Sequence, residues 1–182
     1  MMHLSPDPIW GWEAIASLDA GRMALQAYEQ ERLRTRPGEV ALVLETSDGK
    51  VWLHTKDFYP SGVYRLPTGS LKGGELPDDA YTRELAEETG IRPAREVHRV
   101  ARIRYRLDGE EEPFMSYLYA VHHVDETPRP LDAGERITDW RAIPRSGLAE
   151  VAAKLRQLQP EWKGWGNFRA VAHEVLIEIW NR

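Results

Sequence analysis

The stretch Arg83–Gly90 reads RELAEETG and places Glu84, Glu87 and Glu88 side by side with an arginine. On a helix Glu84 and Glu88 stand at i and i+4, and Glu87 stands three residues from Glu84, so all three project toward one side. Like charges at these spacings cost an isolated helix roughly a few tenths of a kcal/mol per pair. Two readings of the three glutamates are open. One is a solvated acidic face with Arg83 and Glu87 paired at i, i+4. The other is a site for a hard cation, which prefers clustered carboxylate oxygens.

The preceding loop weighs toward the cation. Gly69–Ile91 reads GSLKGGELPDDAYTRELAEETGI. It fits a glycine, five residues, a glutamate, seven residues, then R-E-U-x-E-E-x-G-U, where U is a bulky aliphatic. Gly69, Glu75, Arg83, Glu84, Leu85, Glu87, Glu88, Gly90 and Ile91 fill every specified position. This is the signature of the Nudix hydrolases, and the segment resembles that family strongly. The resemblance implies an α/β (α+β) fold, a mixed β-sheet sandwiched between α-helices, and the strand pattern over residues 38 to 158 is similar to it.

The resemblance also implies roles. Glu84, Glu87 and Glu88 would coordinate Mg²⁺ or Mn²⁺, and the carbonyl of Thr68 would add a ligand. Gly69, Glu75 and Arg83 would support them, with the Glu75–Arg83 pair orienting the ligand helix. Family members draw a further glutamate, as general base or extra ligand, from a loop before a tryptophan-bearing strand. DAGERITDW places Glu135 there, with a solvated loop carboxylate as the alternative.

The chemistry is coherent in its own right. A diphosphate resists hydrolysis because its negative oxygens repel a nucleophile. Divalent ions offset that charge and lower the pKa of a bound water. The glycines at 69, 73 and 74 let the backbone approach phosphate or metal closely. Arg65, in YRLPTG, is the best candidate for a phosphate contact, and Lys72 in the glycine loop is a second. Arg102, Arg104 and Arg106 form a comb on one strand face, a phosphate grip or simply the wet face of a sheet. Glu110, Glu111 and Glu112 fall in a turn and read as solvated.

These groups need elements to hold them. Pro77 suits a first helical position, Asp78 and Asp79 a first turn, and Gly90 a C-terminal stop, with Leu76 a poor N-cap. VALVLET (40–46) and VWLHTK (51–56) flank SDG, which predicts a hairpin, and GVYRLPTG (62–69) reads as a strand. VARIRYRL (100–107) alternates cleanly, and FMSYLYAVHHV (114–124) is apolar on both faces, with His122 and His123 read as structural. A short strand at 137–143 follows, then helices at 146–158 and 167–181, the latter with Asn167 as its N-cap. Residues 8–34 read as helical in two pieces. They predict a helical extension, 1–37, packing on the domain or on a dimer partner, ahead of a Nudix domain at 38–182. Trp10 and Trp12 are candidates for a homodimer contact. Trp162 and Trp165 suit packing of the last helix or stacking on a nucleobase.

The composition bounds the rest. With 182 residues, 42% hydrophobic and 29% charged, the chain is in the globular range. A net charge of −5 argues against a duplex nucleic-acid partner. The absence of cysteine removes thiol chemistry and argues against the isopentenyl-diphosphate isomerases that share the fold. No window is apolar enough to span a membrane, and the first residues lack the pattern of a signal peptide, so the expectation is cytoplasmic. The expected activity is metal-dependent cleavage of the pyrophosphate bond in a nucleoside diphosphate linked to another moiety, with ADP-ribose or a nucleoside diphosphate sugar as the default small-molecule partner. A nucleoside triphosphate pyrophosphohydrolase is the alternative. A nucleotide-sensing domain without turnover ranks below both, because such domains typically lose box glutamates.

Overall fold

A computed structural model describes residues 2–18, 31, 33, 35–92, 97–107 and 114–182. Among them, strands β1 (Met2–Asp7), β2 (Gly11–Leu18), β3 (Gly38–Leu44), β4 (Lys50–Lys56) and β5 (Thr68–Ser70) precede helix α1 (Pro77–Thr89). Strands β6 (His98–Leu107), β7 (Phe114–Val121) and β8 (Ile137–Pro144) follow, then helices α2 (Leu148–Arg156) and α3 (Pro160–Trp180). One sheet runs β1-β2-β6-β7-β3-β5 with parallel and antiparallel pairs, and β4 pairs β8 in a second.

Strand β3 shows why helices cover both faces of the larger sheet. Every residue in it is buried, and its side chains alternate between two cores. Val40, Leu42 and Leu44 pack with Ala80, Tyr81 and Leu85 of α1, while Ala41 and Val43 pack with Leu148 of α2 and Phe168, Val171 and Val175 of α3. Such two-sided burial is what a continuous Val/Leu run requires. No helix among the described residues is long and apolar enough to cross a membrane.

Four expectations are corrected. Residues 11–18 form a strand, not a helix: β2 pairs with β1 and, in parallel, with β6. Strands β1 and β2 therefore extend the sheet, while residues 31, 33 and 35 are helical, and Trp10 packs inside its own chain against Tyr117 and Tyr119 at 4.8 and 5.4 Å. The segment 19–30 lies outside the described residues, as do Glu110, Glu111 and Glu112. The turn after β3 closes locally, Thr46 N–H donating to Lys50 C=O at 2.9 Å, but β3 and β4 then diverge into different sheets. The last helix begins at Pro160, so Asn167 lies well inside it, and Trp165 packs against Tyr59. His122 and His123 lie beyond β7 and are exposed. His122 pairs with Glu45, and His123, at φ 62°, meets Ser47.

Two arginines of the comb are paired on the sheet face: Arg102 contacts Asp7 of β1 and Glu13 of β2, and Arg104 contacts Glu13.

Candidate metal centre and cleft

Helix α1 carries Glu84, Glu87 and Glu88. Pro77 opens it, Leu76 caps it without a side-chain bond, and Gly90 ends it in the left-handed region at φ 72°. The preceding loop closes on itself instead, Lys72 N–H donating to Glu75 Oε2 at 2.9 Å. Arg83 then fixes loop to helix. Its Nε and Nη2 donate to the two oxygens of Glu75 at 2.8 Å, and Nη2 also donates to Ser70 C=O at 3.0 Å. The paired guanidinium holds Glu75 down at about 2. Arg83 Nη1 reaches Glu84 at 2.6 Å and Glu87 at 3.1 Å, so one arginine aligns both acids.

Glu135 arrives from another element. Arg129 N–H and Leu131 N–H donate to Thr89 and Glu87 carbonyls at 2.9 Å, tying the loop after β7 to the end of α1. Asp132 then caps a single 3₁₀ turn by accepting from Gly134 N–H at 2.7 Å, and Glu135 ends that turn before β8. One carboxylate oxygen from each of Glu84, Glu88 and Glu135 lies within 4.8 Å of the others. Glu87 lines the same cleft but stands outward, 43% exposed.

Strand β5 forms the other wall. The bonds Leu42 N–H to Pro67 C=O and Leu71 N–H to Gly38 C=O put Thr68 at a non-bonded position of the β3–β5 ladder, so its carbonyl points away from β3 at the sheet edge. Gly69 is required here by packing. A Cβ at that position would sit 1.8 Å from Glu84 Cδ, so the missing side chain is the space the Glu84 carboxylate occupies. Gly73 and Gly74, expected to serve close approach, have open space around them, and only Gly74 has a positive φ, 76°.

The donor set fits a divalent cation. Glu88 is 1% exposed, and its Oε2 has no hydrogen-bond partner among the described residues. Burial pushes its carboxyl up to about 8, against the pull of Lys56 and Arg65, and burial also raises that of Glu84. Carboxylates so placed need a cation to keep their charge. The cleft above them holds about 470 Å³ and is lined by Arg36, Lys56, Thr68, Gly69, Lys72 and Arg83 with the acids.

Arg65 is corrected as a phosphate contact. It is buried and turned inward, donating to Tyr59 Oη, Leu66 C=O and Thr68 Oγ1, the last at 3.0 Å. Arg169 Nη1 reaches the same Thr68 hydroxyl at 3.2 Å and pairs with buried Glu39 at 2.7 Å. Two buried guanidinium groups thus anchor Thr68 from behind. Arg169→Met removes the cation that partners Glu39, and the expected cost is about 3 kcal/mol of stability, measured by urea denaturation. A loss below about 1 kcal/mol would show that the pair is not holding this wall.

Sequence reasoning missed Arg36, Lys56 and Arg169. Arg36 donates to Ser70 Oγ at 2.5 Å. Lys56 reaches Glu88 and Glu135 at 3.3 and 2.8 Å. Lysine or arginine carries no local mark in the sequence of where its long side chain ends.

A family model described as NUDIX domain matches residues 35–165. The RNA pyrophosphohydrolase of Bartonella quintana (strain Toulouse) is 24% identical over 143 residues, 65% of this chain and 82% of that protein. The RNA pyrophosphohydrolase of Roseobacter denitrificans is 26% identical over 140 residues, 67% of this chain and 84% of that one. Among solved structures, the NUDIX domain of Shewanella oneidensis NrtR, crystallised with ADP ribose, aligns at a TM-score of 0.51 and 18% identity. That alignment covers 86% of this chain and 97% of the domain, a likeness of fold. Because the family match runs through both walls of the cleft and the loop that brings Glu135, the chain belongs to the NUDIX family, as a Nudix pyrophosphohydrolase.

Proposed function

We propose that this enzyme hydrolyses the pyrophosphate bond of a nucleoside diphosphate linked to another moiety, with ADP-ribose or a nucleoside diphosphate sugar as substrate. In this reading Mg²⁺ or Mn²⁺ is held by Glu84, Glu87, Glu88 and the Thr68 carbonyl. The observation that carries it is the meeting of Glu84, Glu88 and Glu135 within 4.8 Å in a cleft also lined by Arg36, Lys56, Lys72 and Arg83. A volume of about 470 Å³ is in the range that encloses a small nucleotide ligand.

When bound, the cation offsets diphosphate charge and makes a water more acidic. The chain supplies the rest. Arg36 and Lys72, on the cleft wall, bind phosphate oxygens. Glu135, 24% exposed and carried on a loop apart from α1, takes the proton of the attacking water. That oxygen bonds to one phosphorus, the bridging P–O bond breaks, and the second phosphate leaves with the bridging electron pair.

A second reading has the same chemistry on a 5′-triphosphate, free or at an RNA end. Relatives named RNA pyrophosphohydrolase that align over about two thirds of the chain favour it. The test is a panel with Mg²⁺: ADP-ribose, a nucleoside diphosphate sugar, nucleoside triphosphates and a 5′-triphosphorylated oligonucleotide. Nucleoside monophosphate plus sugar phosphate is the expected product. Pyrophosphate release from the triphosphates alone would select the second reading. Tight nucleotide binding without turnover across the panel would overturn both and favour a sensor.

A further inference from the structure

Lys56, the last residue of β4, places its ammonium 2.8 Å from Glu135 Oε2 and 3.3 Å from Glu88 Oε1. Its side chain is 11% exposed, so it has few waters to replace those carboxylates. The dependence is mutual, because Glu88 is buried and its other oxygen has no partner among the described residues. The ammonium therefore contacts two of the three acids that converge within 4.8 Å. A divalent ion bound among these carboxylates would lie against a like charge in a poorly solvated site, where repulsion is strong.

We propose that Lys56 is a resident counter-cation of the metal centre: it holds Glu88 and Glu135 together in the metal-free protein and is displaced from them when a divalent cation binds. This rests on the metal centre of the proposed function, with Glu84 and Glu88 among the ligands and Glu135 beside them as the base. The surroundings set the direction of displacement. Arg65 and Arg169 lie buried behind Thr68, so a retreat inward meets two positive charges. Lys56 also lines the open cleft, and its flexible four-carbon stem lets the ammonium turn that way. The acids are thus kept close without metal, and every metal-binding event includes the breaking of two ion pairs.

The test uses Mn²⁺ alone, without nucleotide, titrated calorimetrically into the wild-type chain, Lys56→Met and Lys56→Gln, with melting temperatures in chelator and in Mn²⁺. The neutral variants are expected to bind Mn²⁺ about tenfold more tightly, the scale of coupling between ligands that share groups. Their metal-free forms are expected to melt lower, so Mn²⁺ raises their melting temperature more than that of the wild type. Unchanged or weaker Mn²⁺ binding by folded Lys56→Met or Lys56→Gln overturns the proposal. A wild-type crystal structure with Mn²⁺ bound and Lys56 still bridging both carboxylates overturns it without any variant. Glu88→Gln separates the two ideas. Mn²⁺ binding lost in Glu88→Gln but unaltered at Lys56 removes only the counter-cation role, whereas binding indifferent to Glu88 removes the metal centre itself.

Discussion

Glu88→Gln is expected to lower kcat on the order of 10³-fold while leaving the melting temperature of the metal-free protein unchanged or raised. The two halves of that expectation share one cause. Glu88 sits on α1, buried, with one oxygen on Lys56 and the other without a partner among the described residues. Its carboxyl is pushed up to about 8 because the site desolvates it more than its neighbours compensate. In the absence of a cation, the charge is therefore a burden on the fold, and an isosteric amide removes that burden. In the proposed metal centre the same charge serves as a ligand. Stability given up to prepare a site is the usual trade at functional positions. Steady-state kinetics on whichever panel substrate turns over, together with thermal melts in chelator, check both halves. Wild-type turnover in the variant would take Glu88 out of the centre. A melting temperature lowered by many degrees would mean that the lost activity reports unfolding.

The parts of this centre differ in how visible they are before folding. Helix α1 was legible because the box pattern sets residue type and spacing within one helical segment, and Pro77 and Gly90 bound it by local backbone rules. The Glu75–Arg83 pair was legible for the same reason, both partners belonging to the one loop–helix unit. Glu135 could be placed only relative to the strand that follows it, since the bonds from Arg129 and Leu131 to the end of α1 are tertiary. Strand β2 was misread because WEAIAS contains good helix formers. Its state is set by pairing from Trp12↔Ala101 onward with β6, nearly ninety residues away in the chain.

The last helix was misplaced for a different reason. Gly164 and Gly166 resemble breakers, yet both lie inside α3. A Cβ on Gly166 would stand 2.2 Å from Leu155 C=O at the end of α2, so that glycine marks a close helix–helix approach. Arg65 was misassigned because proximity in sequence to the glycine loop says nothing about the side of the sheet its side chain takes. Its guanidinium lies under Thr68, where it supports the loop and does not face the cleft.

Gly69→Ala is expected to reduce kcat/KM by about 10²-fold or more and to weaken Mn²⁺ binding, at a stability cost of only about 1–3 kcal/mol. A methyl group there would lie 1.8 Å from Cδ, 2.1 Å from Cγ and 2.2 Å from Oε2 of Glu84, so the two side chains cannot coexist. Strand β5 cannot yield easily. It is paired with β3 and held on its outer side by Arg83 Nη2 on Ser70 C=O. Glu84 is the flexible partner and must swing away, which explains why the fold loses little and the centre loses much. Once it moves, its contact with Arg83 and its place beside Glu88 and Glu135 go together. Gly73→Ala is the control. It lies in the same loop, with nothing within 4 Å of the added Cβ and no positive φ, and is expected to keep wild-type turnover. Equal activity in Gly69→Ala and Gly73→Ala would show that the loop needs glycine at 69 for neither reason argued here; a loss confined to Gly69→Ala ties the glycine of the box to the glutamate it accommodates.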